Sequence, residues 1–131
     1  MNDRTLLTDK EIARLLQGTD FMYTHALPRL SIPALSMADG PHGLRKQHGG
    51  RDNGVTGSAP ATAFPTASCM AASWNPELAA RIGRAIGAEC LGYGVHMLLG
   101  PGVNIQRNPL CGRNFEYFSE DPLLAGKMGA G

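Results

Sequence analysis

The stretch from Asn75 to Cys90 constrains the fold most, because it predicts one long helix between two short apolar runs. Asn75 is a favoured N-cap residue, and Pro76 suits the first helical position. The apolar residues of this helix share a face: Leu78, Ile82, Ala85 and Ile86. Glu89 falls on the same face, so we expect its carboxylate either to pair with a cation or to reach solvent.

The two apolar runs on either side of that helix are typical of short strands. The first, ALSMAD at 34–39, is bounded by Pro33 and by the Gly40-Pro41 turn, where we expect the strand to end. The second, Val95–Leu99, predicts a buried strand that leads into a loop. Strand, helix and strand in this order predict an α/β fold, and parallel neighbouring strands would place the two following loops on one rim.

Two further helices are predicted, one before and one after this unit. Thr8 and Glu11 form a capping box, and Gly18 ends the helix that follows. Asp121 and Pro122 begin another helix, which reaches no stop signal before the chain ends. A sheet of two or three strands exposes unpaired edges and leaves a helix face uncovered, so we expect the chain to be part of a larger protein.

Composition excludes several classes of partner. Twelve basic and eleven acidic side chains give a net charge of +1, which argues against binding nucleic acid or an anionic membrane surface. The chain has no apolar run of about 18 residues and no signal-peptide core, which predicts a cytoplasmic protein. The odd, widely spaced cysteines suit neither disulfides nor a zinc site, and we expect reduced, mostly packed thiols: Cys69, Cys90 and Cys111.

Charged side chains gather in the two loops that follow the predicted strands, DGPHGLRK at 39–46 and the long loop at 100–121. They are Asp39, Arg45, Arg107, Arg113 and Glu116. A carboxylate accepts hydrogen bonds from neighbouring hydroxyls and a guanidinium donates in a fixed fork, so this set favours a polyhydroxylated ligand such as a sugar. The aromatic side chains that we expect to wall such a site are Trp74, Phe115, Tyr117 and Phe118.

Each of these charged residues also has a purely structural explanation. Asp39 could serve only to begin the turn, since Asp-Gly-Pro is turn chemistry. Arg45 and Arg113 could be solvated loop charges, and Glu116 could simply pair with Arg113 three residues away.

Other kinds of site find little support. His42 and His96 are expected to be turn and core residues, because no further ligand sits at metal spacing, so we expect no metal. A phosphate- or nucleotide-binding domain is a further alternative, but the chain contains neither GxGxxG nor GK[ST], and we expect no cofactor. Cys111 has no histidine placed as its base, which argues against a nucleophilic cysteine.

Three separated blocks form the most specific pattern in the chain: MADGPHGLR, FPTASCMAASWNPELAARIGRAIGAEC and LLGPGVNIQRNPLCGRNFEYFSEDPLLAG. From about Leu30 to the last residue they closely resemble glycoside hydrolase family 3, the β-glucosidase family. The resemblance implies a TIM-like (β/α)8 barrel. Residues 1–131 would be the N-terminal part of that barrel domain, its first βα units, with the barrel incomplete in this chain.

The resemblance also implies roles for individual residues. Asp39 matches an aspartate that binds hydroxyls of the sugar in the subsite where cleavage occurs, and Arg45 and Arg113 match arginines that bind the same sugar. Glu116 would orient Arg113, and Arg107 would shape the loop. These two would therefore support the binding residues without binding the sugar themselves.

The family's reaction retains the anomeric configuration through a covalent glycosyl-enzyme and needs two carboxyls about 5–5.5 Å apart. By resemblance both carboxyls lie downstream of this segment. The segment would then supply sugar-binding residues of a β-glucosidase that acts on terminal non-reducing β-D-glucosyl residues. It would be inactive alone and would need the remainder of the parent chain to complete its fold. A β-xylosidase, arabinosidase or N-acetylglucosaminidase of the same family, and a non-catalytic sugar-binding α/β protein, are the alternatives.

Overall fold

The structure is a computed structural model that describes residues 7–47 and 57–131, and its fold is mixed α/β. In chain order its elements are α1 (Asp9–Gln17), β1 (Met37–Asp39), α2 (Ala67–Ala72), α3 (Pro76–Gly92), β2 (Met97–Leu99) and α4 (Pro122–Ala130). Short 3₁₀ turns occupy Pro28–Leu30 and Asn114–Glu116. Part of the predicted loop between 43 and 66 lies outside the described residues.

The two strands are parallel neighbours, as the strand, helix, strand order predicts. Met37 pairs with Met97, and Asp39 pairs with Leu99 at the carboxyl end. Both strands are shorter than predicted. Before Met37 the chain also bonds to segment 22–24. The Thr24 N–H donates to the Leu35 carbonyl at 3.0 Å and the Met37 N–H to the Met22 carbonyl at 2.8 Å, while the Ser36 carbonyl still accepts from the Met97 N–H at 3.1 Å. The single-sequence pattern does not reveal this competing partner.

The helix α3 forms where the capping signals predict it. The Asn75 side chain accepts from the Leu78 N–H at 3.0 Å, and Pro76 occupies the first turn. The predicted apolar face is only partly correct, because Ala85 is exposed. The buried face instead runs along Ala79, Ile86 and Cys90, since α3 packs against α4 at one end and over the sheet at the other.

Two clusters of buried residues hold these elements together, and half-buried Ile82 of α3 packs against both. One joins α2, α3 and α4: Ala67, Met70, Ala71, Ala79, Phe118, Ala125 and Met128. The other joins the sheet to α3: Ala38, Leu44, Ile86, Cys90 and Val95. The short helix α2, capped by Thr66, was not predicted, although it contributes three buried residues to the first cluster.

The remaining helices follow their local signals. Thr8 and Glu11 form the capping box of α1, whose last residue precedes Gly18. Asp121 caps α4 by accepting from the Leu123 N–H at 2.9 Å. None of the described helices is long and apolar enough to span a membrane.

Two expectations about burial are wrong. Met97 and Leu99 are 48% and 44% exposed, so β2 is covered on one face only, the face that carries Leu98 toward α3. The cysteine thiols are free, but only Cys90 is buried, whereas Cys69 is exposed on α2 and Cys111 is exposed in the loop after β2.

Candidate functional site

One open cleft of about 450 Å³ brings together four of the five charged residues that the sequence singles out. Asp39, Arg45, Arg113 and Glu116 all line it. The cleft lies at the carboxyl end of β1, against the loop that follows β2. Arg107 lies elsewhere, in a separate groove beside Trp74.

The turn after β1 places Asp39 and Arg45 side by side. Asp39 is the last residue of β1, and its Oδ1 accepts from the Gly40 N–H at 2.9 Å. The Arg45 N–H donates to the Asp39 carbonyl at 2.8 Å, so the chain turns back on itself within six residues. Both residues are exposed. A turn role and a binding role for Asp39 are therefore compatible.

Two glycines allow this turn to be so tight. Gly40 has φ +130°, and a Cβ there would lie 1.9 Å from the Gly43 carbonyl oxygen. Gly43 has φ +134°, and its Cβ would lie 2.2 Å from the Thr62 carbonyl oxygen. The close approach of Gly43 to Thr62 joins the turn to residues 57–66, here named the wall loop. The wall loop forms one side of the cleft through Ala59, Ala61, Thr62 and Ala63.

The loop after β2 packs against the same turn. A Cβ on Gly100 would lie 3.0 Å from the Pro41 Cα, and one on Gly102 would lie 2.5 Å from the Glu116 carbonyl oxygen. These close approaches bring the segment that carries Arg113 and Glu116 to the rim formed by Asp39 and Arg45.

Arg113 and Glu116 form an ion pair on the far side of the cleft, with Arg113 Nε donating to Glu116 Oε1. This hydrogen bond lowers the pKa of Glu116 below its ordinary value, although burial opposes the shift. The Arg113 side chain is 69% exposed and that of Glu116 only 14%. Arg113 also lies 5.8 Å over the Tyr117 ring. Glu116 is thus a fixed anion that orients an open guanidinium.

Gln106 holds this turn in place and was not predicted. Its Nε2 donates to the Asn114 and Tyr117 carbonyls, both at 2.8 Å, so one side chain ties together the two ends of the 3₁₀ turn. Gln106 stands in a loop without periodicity, and a lone amide there carries no sequence signal for such a role.

The expected aromatic walls are mostly elsewhere. Phe115 lines the cleft, but Tyr117 and Phe118 are buried and Trp74 lies in the groove beside Arg107. His42 also lines the cleft, 6.1 Å from the Phe115 ring between centroids. Both His42 ring nitrogens are buried and find no hydrogen-bond partner among the described residues.

The expectation that His96 is a core residue is wrong, because His96 is exposed, although its Nδ1 accepts from the Ser36 N–H at 3.1 Å. Among residues 7–47 and 57–131, no three histidine, cysteine or acidic side chains are grouped so that they could hold a metal ion.

Comparisons with known proteins show to which family the chain belongs. Residues 5–131 match the model of the glycosyl hydrolase family 3 N-terminal domain. The chain is 52% identical over 125 residues to the thermostable beta-glucosidase B of Acetivibrio thermocellus, covering 95% of this chain and 17% of that protein. It is 46% identical over 127 residues to an exo-alpha-(1->6)-L-arabinopyranosidase of Bifidobacterium longum, covering 95% and 17%.

A solved structure shows the same fold. The beta-glucosidase 3B of Thermotoga neapolitana, in complex with alpha-D-glucose, superposes with a TM-score of 0.81 at 42% identity, covering 96% of this chain and 19% of that one. The chain therefore spans less than a fifth of the length of these relatives. Since the family model covers nearly every residue, the chain belongs to glycosyl hydrolase family 3.

Proposed function

We propose that the chain is part of a retaining β-glucosidase and that its cleft binds the terminal, non-reducing β-D-glucosyl residue of the substrate. The observation that carries the proposal is the convergence of Asp39, Arg45 and Arg113 on one open cleft at the carboxyl end of a parallel strand pair. Ligands of α/β folds bind at that end. Relatives named as beta-glucosidases support the choice of substrate.

Each side chain then has a defined part in binding. Asp39 accepts hydrogen bonds from sugar hydroxyls through the carboxylate lone pairs that its bond to Gly40 leaves open. Arg45 and Arg113 donate to hydroxyl oxygens, and charge-assisted bonds of this kind are stronger than neutral ones. Glu116 orients Arg113 without touching the sugar, and Arg107 shapes the loop outside the cleft.

Glu116 does not suit the acid step of a retaining reaction. A general acid needs a raised pKa, whereas Arg113 lowers the pKa of Glu116. By the family resemblance we place both catalytic carboxyls in the remainder of the protein, and we propose that this chain forms the first βα units of a TIM-like (β/α)8 barrel.

The test is hydrolysis of 4-nitrophenyl β-D-glucoside by the full-length protein. Asp39→Ala should lower kcat/KM by a factor of about 100 or more, because hydrogen bonds to sugar hydroxyls strengthen in the transition state. Asp9→Ala, at an exposed aspartate of α1, is the matched control and should keep wild-type kcat/KM. An active protein that Asp39→Ala leaves unchanged would refute this site.

A second candidate is an exo-α-L-arabinopyranosidase, which the relative from Bifidobacterium longum favours. Asp39 and the arginines would bind hydroxyls that several sugars share, so the described cleft does not separate the two. Relative kcat/KM on aryl glucoside, arabinopyranoside, xyloside and N-acetylglucosaminide decides among the family's activities. A protein that binds glucose through Asp39 but hydrolyses none of them would be a sugar-binding protein.

A further inference from the structure

The wall loop has no regular secondary structure, yet it forms one side of the proposed sugar site. Its inner side is bonded to the turn that carries Asp39 and Arg45. The Ala59 N–H donates to the Lys46 carbonyl at 2.7 Å, and the Phe64 N–H donates to the His42 carbonyl at 2.8 Å. A displacement of the wall loop would therefore pull on the turn as well as change the width of the cleft.

The outer side of the wall loop is held by the end of α3. The Glu89 carboxylate accepts from the Thr62 N–H at 3.2 Å and from Thr62 Oγ1 at 2.5 Å. Tyr93, just after the helix, donates its hydroxyl to the Pro60 carbonyl at 2.6 Å. Lys46 Nζ in turn donates to the Tyr93 carbonyl, which links the helix end to the turn.

Glu89 is poorly placed for the helix that carries it. It lies in the last turn of α3, where the helix dipole disfavours a negative charge, and that turn contains no basic residue. In the described ranges Glu89 forms no ion pair, and its side chain is partly exposed, which agrees with the solvent alternative of the sequence expectation. Its hydrogen bonds go to Thr62. A residue that breaks a local rule in this way is expected to serve another purpose.

We propose that Glu89 is a positioning residue for the sugar site. By holding Thr62 it sets the place of the wall loop, and through the wall loop it sets the turn that presents Asp39 and Arg45. This inference rests on the proposed function, because it assigns Glu89 an effect on sugar turnover. Glu89 does not touch the substrate.

The test uses the full-length protein and 4-nitrophenyl β-D-glucoside at 25 °C, with the Tm of every variant recorded. Glu89→Ala should lower kcat/KM about 10-fold or more, since small misplacements of binding groups are costly to catalysis. Glu89→Gln keeps an oxygen that accepts from Thr62, and should recover most of the loss. Glu77→Ala, on the exposed first turn of the same helix, is the matched control and should match wild type.

A double-mutant cycle separates positioning from general stability. Thr62→Val removes the hydroxyl that Glu89 accepts from, so Glu89→Ala in that background should lower kcat/KM far less than it does alone. Hydrogen exchange at the Thr62 amide should become faster in Glu89→Ala.

The outcomes are distinct. The positioning role is overturned if the Glu89→Ala protein is folded and keeps wild-type kcat/KM. It is also overturned if the fold-changes in kcat/KM of Glu89→Ala and Thr62→Val multiply in the double variant. Either result leaves the Asp39 result intact. A wild-type protein that hydrolyses no aryl glycoside overturns the proposed function and this inference with it.

Discussion

The ion pair of Arg113 and Glu116 makes the stability of the cleft depend on pH. The direction of that dependence follows from the direction in which the pKa of Glu116 is shifted. Because Arg113 lowers the pKa of Glu116 below 4.5, ionised Glu116 stabilises the folded state above that pH. The contribution is lost as the pH falls through the lowered pKa. We predict that Glu116→Gln lowers the Tm of the full-length protein at pH 7 and that the difference from wild type shrinks toward pH 3. A difference that grows on acidification would contradict the ion pair.

The site could be predicted from the sequence where its contacts are local. Asp39 and Arg45 meet across one short turn, and Arg113 and Glu116 pair within a single 3₁₀ turn. The bond from Thr62 to Glu89 joins residues 27 apart, and it depends on how an irregular loop folds back on a helix. No periodic pattern encodes such a contact. The sequence therefore placed Glu89 on the apolar face of α3 but could not identify Thr62 as its partner.

At the scale of the elements, α4 packs into the core mainly through one side chain, Met128. This side chain is 2% exposed within the cluster shared by α2, α3 and α4. We predict that Met128→Ala lowers the free energy of unfolding of this part of the protein by about 2–5 kcal/mol, through lost burial and the cavity left behind. Urea denaturation of the full-length protein measures it. The exposed neighbour Lys127 is the control, and Lys127→Ala should change stability by less than about 0.5 kcal/mol.

The elements differ in how far they could be predicted. Helices α1, α3 and α4 begin at caps that are visible in the sequence, and their capping bonds form as expected. Helix α2 has six residues, too few to show a period, and its buried face follows from packing on α4. Strand β1 is shorter than its apolar run because Leu35 and Met37 form backbone hydrogen bonds with segment 22–24.

At the scale of the whole molecule, the register of the sheet explains where the cleft opens. Residues paired in register point to the same side of a sheet, so Asp39 lies on the same face as Leu99 and, two residues earlier, Met97. That face is exposed in the described structure, whereas Ala38 and Leu98 pack toward α3. The Asp39 carboxylate, which we propose binds the sugar, therefore lies at the edge of an apolar strand face, the arrangement expected at the mouth of a barrel.

This arrangement leads to a prediction for residues 1–131 produced alone. A two-stranded sheet is marginal in water, and the exposed face at Met97 and Leu99 would favour association. We expect the isolated segment to hydrolyse no 4-nitrophenyl β-D-glucoside, because we place both catalytic carboxyls in the remainder of the protein. The full-length protein, assayed at equal concentration, is the control. Turnover by the isolated segment that Asp39→Ala abolishes would show that these residues contain a complete catalytic site, against the placement of the catalytic carboxyls proposed above.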